Sequence, residues 1–130
     1  MSKSQFFRAG VGAMIINKER NVLVCRRADI EEDQWQMPQG GIHVAEEPIH
    51  ALYREVKEET GIEPALLRVL TEAKEWIAYE LPPGYRSDKH GRGQVHKWFL
   101  CRFEGDDAAI RPDKGKTDFE VRPQKIIPFE

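Results

Sequence analysis

Apolar and polar positions change period several times along the chain, and each change marks an element. Val11 to Asn17 is apolar and rich in strand-favouring residues, and Asn21 to Arg26 repeats that character after the polar break Lys18-Glu19-Arg20. Two such runs around a short polar break predict an antiparallel hairpin. From Arg27 to Gln39 the period is lost: Asp29, Glu31, Glu32 and Asp33 precede Trp35-Gln36-Met37-Pro38. That composition reads as a surface loop with an anchored end. Gly40-Gly41 reads as a tight turn closing it.

A helix is predicted from about Pro48 to Thr60, because proline suits the first helical position and Gly61 supplies the left-handed residue that ends helices. On a wheel of about 100° per residue, Ile49, Leu52 and Val56 form one stripe, and Glu55, Glu58 and Glu59 form an adjacent one. The first is expected to pack and the second to face solvent. Leu66 to Lys74 and Glu75 to Leu81 read as further strands, followed by a loop rich in proline, glycine and charge from Pro82 to Gly93. Gln94 to Phe103 is a strong strand with Trp98, Phe99 and Leu100 at its centre. The tail from Gly105 is polar and interrupted by prolines, with room for a last strand around Lys125 to Phe129. Together these predict an α/β (α+β) chain with a mixed sheet flanked by at least one helix, in one domain spanning residues 1–130.

Composition narrows the function classes. No stretch approaches the roughly 18 consecutive apolar residues of a membrane span, and the start MSKSQFF lacks a signal peptide's apolar run, so a soluble cytoplasmic protein without a membrane partner is expected. Cys25 and Cys101 sit inside apolar segments without CxxC spacing and read as small buried hydrophobes in a reducing compartment. A net charge of -2 argues against coating nucleic acid through bulk charge, so a polyanionic substrate must be held locally. Nothing in the pattern indicates an oligomeric state.

The chemistry concentrates on the helix. Spacings of three and four residues place the carboxylates of Glu55, Glu58 and Glu59 on one face, where repulsion costs an isolated helix a few tenths of a kcal/mol per pair. A solvated acidic face eased by Arg54 and Lys57 is the bland reading of such a string. A hard divalent cation is the sharp one, since oxygen-only carboxylate clusters suit Mg²⁺ or Mn²⁺.

The glutamates belong to a longer pattern: Gly40, five residues, Glu46, seven residues, Arg54-Glu55-Val56, one residue, Glu58-Glu59, one residue, Gly61-Ile62. This resembles the complete box of the Nudix hydrolases. At average residue frequencies a chance match is on the order of one in ten million, which outweighs the bland reading. The resemblance implies a loop-helix-loop on an α/β/α sandwich that hydrolyses a nucleoside diphosphate linked to another moiety, with Mg²⁺ or, as a substitute, Mn²⁺. It implies metal ligation at Glu55, Glu58 and Glu59, and makes Glu58 the candidate general base. Gly40 would bring its carbonyl near the metal, and Arg54 would pair with Glu58 or Glu46 to fix carboxylate orientation.

Outside the box, Phe7-Arg8, Val11-Gly12, Arg26-Arg27, Trp35 to Gly41, Trp76, Tyr79 and Lys97-Trp98-Phe99 are similar to the Nudix subfamily that acts on 5′-triphosphorylated RNA and on dinucleoside polyphosphates. This implies substrate contacts at Arg8, Arg27, Gln39, Tyr79 and Lys97, with Arg8 and Lys97 nearest the phosphates, and a further metal ligand at Asp118. The other basic residues, Arg26, Lys74, Arg86, Lys89, Arg92 and His96, are candidates to line the same mouth. Trp76 and Tyr79 read equally well as sheet packing. After Asp118-Phe119 the chain departs from the subfamily, since Glu120-Val121-Arg122-Pro123 stands where its tryptophan-rich strand would be. The resulting expectation is removal of pyrophosphate from 5′-triphosphorylated RNA. Cleavage of diadenosine polyphosphates is the alternative enzyme, and a nucleotide-binding module without turnover is the alternative of another class.

Overall fold

The computed structural model describes residues 6–27, 35–110 and 119–128. Its elements follow the order β1 (Phe7–Ile16), β2 (Asn21–Arg27), β3 (Trp35–Gln36), β4 (Gln39–Gly41), α1 (Pro48–Thr60), β5 (Leu67–Glu72), β6 (Ile77–Glu80), β7 (Gly93–Phe103) and β8 (Phe119–Pro128). The mixed sheet is organised around β1 and β7, which run parallel in unbroken register from Phe7↔Gly93 to Ile16↔Arg102. On its other edge β1 meets β4 at residues 10–12 and the start of β2 at Ile16. The outer edge of β7 is shared by β6 and β5, both antiparallel to it. β2 carries the sheet onward to β3 and β8.

The predicted hairpin is present, with β1 lengthened to Phe7 because its partner β7 supplies hydrogen bonds along that whole length. Gly40-Gly41 differs from expectation. Both lie in β4, paired with Val11 and Gly10, and neither has a positive φ. What position 40 requires is the absence of a side chain, as shown below. In the tail the last strand begins at Phe119 rather than near Lys125. It pairs with β2 across an irregular register that sets Pro123 opposite Leu23 and Pro128 opposite Asn21. Such an irregularity lets a strand tolerate residues that break regular pairing.

Helix α1 begins with Pro48 after Glu47, whose backbone is extended, and ends at Gly61 with φ 77°, whose N–H donates to the Lys57 carbonyl at 2.8 Å. Of its predicted apolar stripe, Leu52 and Val56 are buried and Ile49 is half-buried against the core. Ala51, Leu52 and Val56 pack with Val11, Ala13 and Ile15 of β1 and Phe99, Cys101 and Phe103 of β7. Alternation then turns Arg8, Gly10, Gly12 and Met14 of β1, with Gln94, His96, Trp98 and Leu100 of β7, to the opposite face. On that face small residues stand beside large ones, Gly10 by His96 and Gly12 by Trp98, because a Cβ on either glycine would strike the neighbouring ring. Among the described residues α1 is the one α-helix, and no helix is long and apolar enough to cross a membrane.

Leu52, 1% exposed, is the central apolar residue of α1. Leu52→Ala is expected to lower unfolding stability by about 2–5 kcal/mol, measured by urea titration.

Candidate functional site

The three glutamates of α1 differ in their surroundings because of their angles on the helix. Relative to Leu52, Glu59 lies about 20° away, Glu55 about 60° and Glu58 about 120°. Exposure follows that order: Glu59 is 7% exposed as a residue, while the side chains of Glu55 and Glu58 are 13% and 44% exposed. The expectation that all three face solvent is therefore corrected. Glu59 falls on the apolar stripe, seven residues after Leu52, and is carried under the sheet with it.

Strand β4 closes over the two buried carboxylates. A Cβ at Gly40 would overlap the Glu55 carboxylate, so glycine is needed for close approach. The Gln39 N–H donates to Glu59 Oε2 at 3.3 Å. Burial pushes the Glu59 carboxyl up to about 8, reinforced by the Glu55 charge and drawn back by the Gln39 N–H. Glu55 is pushed up to about 7, first by burial, against the pull of Arg54 and with the charge of Glu58 raising it further. Acids in such a place hold on to protons into the neutral range, and a bound cation would take the proton's position.

Arg54 ties the approach loop to the helix. Its Nε and Nη2 donate to the two oxygens of Glu46 at 2.8 and 2.9 Å, and Nη2 also donates to the Gly41 carbonyl at 2.7 Å. Nη1 donates to Glu55 Oε1 at 3.3 Å and lies 3.6 Å from Glu58 Oε2. The fork of hydrogen bonds from Arg54, with the His43 N–H adding one, holds the Glu46 carboxyl down to about 2. A bidentate, charge-assisted pair of this kind orients as well as attracts. Of the two partners expected for Arg54, Glu46 is the tight one and Glu58 the looser.

Above β4 opens a polar cavity of about 180 Å³, lined by Arg8, Gln36, Gln39, Gln94 and His96 with the backbone of residues 40 and 41. It brings together Arg8 and Gln39, as the sequence suggested. Gln36, Gln94 and His96 complete it; the alternation of Gln94, His96 and Trp98 against Arg8, Gly10 and Gly12 was the signal that could have grouped them. Tyr79 lies next door. It contacts the His96 ring at 5.4 Å and lines a second, apolar cavity of about 480 Å³ with Met14, Ile77, Trp98 and Leu100. Lys97 is placed otherwise than expected: its Nζ donates to the Ala73 carbonyl at 2.6 Å, bridging the gap on β7 between β5 and β6, and it lines neither cavity. Arg86 and Arg92 donate to Glu80. Arg27 is described by its backbone, at the end of β2 opposite Phe119. Asp118 lies outside the described residues.

The donor chemistry around α1 fits a hard divalent cation. Glu55, Glu58 and Glu59 offer carboxylate oxygens, and the one thiol that feels their charge, Cys25, is buried and held protonated, its pKa pushed up to about 12 by burial. Among the described residues, as they stand without an ion, no three His, Cys, Asp or Glu side chains are gathered closely enough to hold a metal by themselves. An open set suits an ion that keeps waters and shares its sphere with substrate phosphate.

Comparison with known proteins agrees with this geometry. Residues 6–127 match the family model of the NUDIX domain. RNA pyrophosphohydrolase of Zymomonas mobilis is 39% identical over 127 residues, covering 92% of this chain and 82% of the relative. The enzyme of the same name from Brucella ovis is 45% identical over 146 residues, covering 95% and 81%. Among solved structures, Escherichia coli dihydroneopterin triphosphate pyrophosphohydrolase superposes with a TM-score of 0.67 at 20% identity, over 92% of this chain and 82% of that one. A Caenorhabditis elegans Ap4A hydrolase complex gives 0.64 at 21% identity, over 88% and 78%. These likenesses in structure share the mixed sheet and helix described above.

The buried acids make the metal-free protein sensitive to pH. Their folded values of about 7 and 8 lie above the ordinary 4.5, so the folded state binds more protons than the unfolded one between those limits. Their contribution is fully present below about 4.5 and is lost as pH rises through about 8. In calorimetric scans with EDTA, the Tm component due to this pair is expected to fall from pH 5 to 8, and Glu59→Gln is expected to flatten that slope.

Proposed function

This chain belongs to the NUDIX domain family and is a pyrophosphohydrolase, and we propose that the phosphoanhydride it cleaves is the one at the 5′ end of triphosphorylated RNA. Two relatives at 39% and 45% identity over most of both chains carry the name RNA pyrophosphohydrolase, which supports that substrate. The observation that carries the chemistry is the pair of acids, Glu55 and Glu59, packed beneath Gly40 at the foot of a polar cavity headed by Arg8.

Members of the family need divalent metal ions, and we assign the site here to Mg²⁺, with Mn²⁺ as a substitute. Glu55 and Glu59 would hold the metal from the buried side and Glu58 from the open side. The Gly40 carbonyl and Asp118 are candidates for further ligands. A bound ion would polarise the phosphoanhydride and lower the pKa of an attacking water. Glu58, the most exposed of the three, is the group free to accept that water's proton. Arg54 keeps Glu55 and Glu46 oriented and holds the loop at Gly41.

On the substrate side, Arg8 and Gln39 would engage phosphate oxygens, and the subfamily resemblance makes Arg27 a further candidate. Tyr79, 46% exposed at the border of the polar and apolar cavities, would stack on a base. Lys97 would reach a phosphate only by leaving Ala73, so its part in this reading is to hold β5 and β6 in place. The two thiols are buried and unpaired, which fits a reducing cytoplasm.

Phosphate release from triphosphorylated RNA, diadenosine tetraphosphate, ADP-ribose and nucleoside triphosphates tests the reading. RNA is expected to be the best substrate, and excess EDTA is expected to stop turnover. Faster cleavage of the dinucleotide would replace the RNA assignment. Glu58→Gln is expected to cut kcat by about 10²–10⁴ with its circular dichroism unchanged, and the exposed Glu47→Gln to stay near wild type. Retention of more than about a tenth of kcat by Glu58→Gln would remove it from the chemistry.

A further inference from the structure

We propose that His96 determines substrate specificity at this site, its imidazole donating a neutral hydrogen bond from Nε2 to a phosphate oxygen of the polyphosphate chain. The inference rests on the pyrophosphohydrolase reading above and adds a residue to which that reading gives no part.

The geometry starts from the sheet. In the parallel register of β1 and β7, His96 is the partner of Gly10. The residue is 4% exposed, and its ring stands edge to face between Tyr79, at 5.4 Å and 61°, and Trp98, at 6.2 Å and 75°. That packing fixes which edge looks where. The Cδ2 and Nε2 atoms lie 2.7 and 2.9 Å from the point where a Cβ on Gly10 would sit, and the Gly40 carbonyl oxygen lies 2.7 Å from the same point. Only a hydrogen atom fits at position 10, and the space so kept belongs to the polar cavity.

The other edge of the ring settles the tautomer. Nδ1 is buried and finds no hydrogen-bond partner among the described residues. A hydrogen on Nδ1 would be a buried, unpaired donor, which is rarer and costlier than a bare lone pair. We therefore assign the hydrogen to Nε2, on the cavity side. Burial lowers the imidazole's pKa, so the ring stays neutral and remains a donor without adding charge.

A histidine kept for packing alone would do better as phenylalanine, which fills the same space between Tyr79 and Trp98 and leaves no polar atom orphaned. The choice of ligand follows from the company His96 keeps. The cavity gathers the guanidinium of Arg8 and the amides of Gln39 and Gln94, and among the described residues no carboxylate side chain lines it. Several donors around one small volume match the oxygens of a phosphate group.

Inorganic pyrophosphate is the probe, with binding by calorimetry and steady-state kinetics on triphosphorylated RNA. His96→Phe is expected to weaken pyrophosphate binding and raise KM by about tenfold, with kcat changed less than about twofold and Tm equal or higher. His96→Gln, which restores an N–H, is expected to recover most of the affinity. Wild-type affinity and KM in a folded His96→Phe would overturn the proposal, as would equal losses in the Phe and Gln variants. Should His96→Phe fail to fold, ¹⁵N shifts of the wild-type imidazole decide. A change at Nε2 on adding pyrophosphate supports the hydrogen bond, and unchanged shifts overturn it. A wild type inert towards every phosphoanhydride substrate, yet binding pyrophosphate through His96, would sink the hydrolase reading and leave this one standing.

Discussion

Two carboxylic acids pressed between a helix and a strand set the terms for everything around them. Glu55 and Glu59 face neither open solvent nor a full complement of cations, and burial alone raises both acids towards neutrality. An isolated buried carboxylate is so costly that it either takes up a proton or recruits a partner, and the local structure prepares for the second outcome. Position 40 carries no side chain, the Gln39 N–H faces Glu59, and Arg54 faces Glu55. Each of these choices would be pointless over an ordinary acidic helix face, where water does the same work.

The same short strand separates two environments. Below β4 lie acids that want a cation. Above it lies a cavity lined by Arg8, glutamines and His96, a place for an anion. Arg54 belongs to the lower side and holds the strand down through the Gly41 carbonyl, so the spacing between the two environments is set by one guanidinium and its bond to Glu46. A substrate with a chain of phosphates has an extent and a charge distribution that can use both sides at once.

Much of this was legible in the sequence, for identifiable reasons. Helix α1 carried its own start and stop in Pro48 and Gly61, and its apolar stripe was read correctly because local period and burial agree there. Glu59 was misjudged: its charge suggested solvent, whereas its position seven residues after Leu52 put it on the buried side, and geometry prevailed. Gly40 was read as a turn because glycine pairs usually mark one. Its real constraint, the approach of Glu55, comes from an element later in the chain. Lys97 was placed near the phosphates by the subfamily resemblance, and the gap between β5 and β6 that it fills is visible only in the sheet. His96 was grouped with the basic residues that could line the mouth, and its pairing with Gly10, a partner far away in sequence, is visible only in the sheet.

The pairing of β1 with β7 has a consequence for how the chain is made. Strand β1 leaves the ribosome well before its long partner, which ends at Phe103, so the sheet's central hydrogen bonds wait until every element from β2 to β6 has been made. Until then β1 is an unsatisfied apolar edge, and α1 has only half of the surface it packs against. Contacts so distant in sequence slow folding and extend the time during which a nascent chain can pair with the wrong neighbour. The glycines at 10 and 12 weaken β1 as an isolated strand. They thereby restrain it from pairing early, while it waits for the two rings that fit over them.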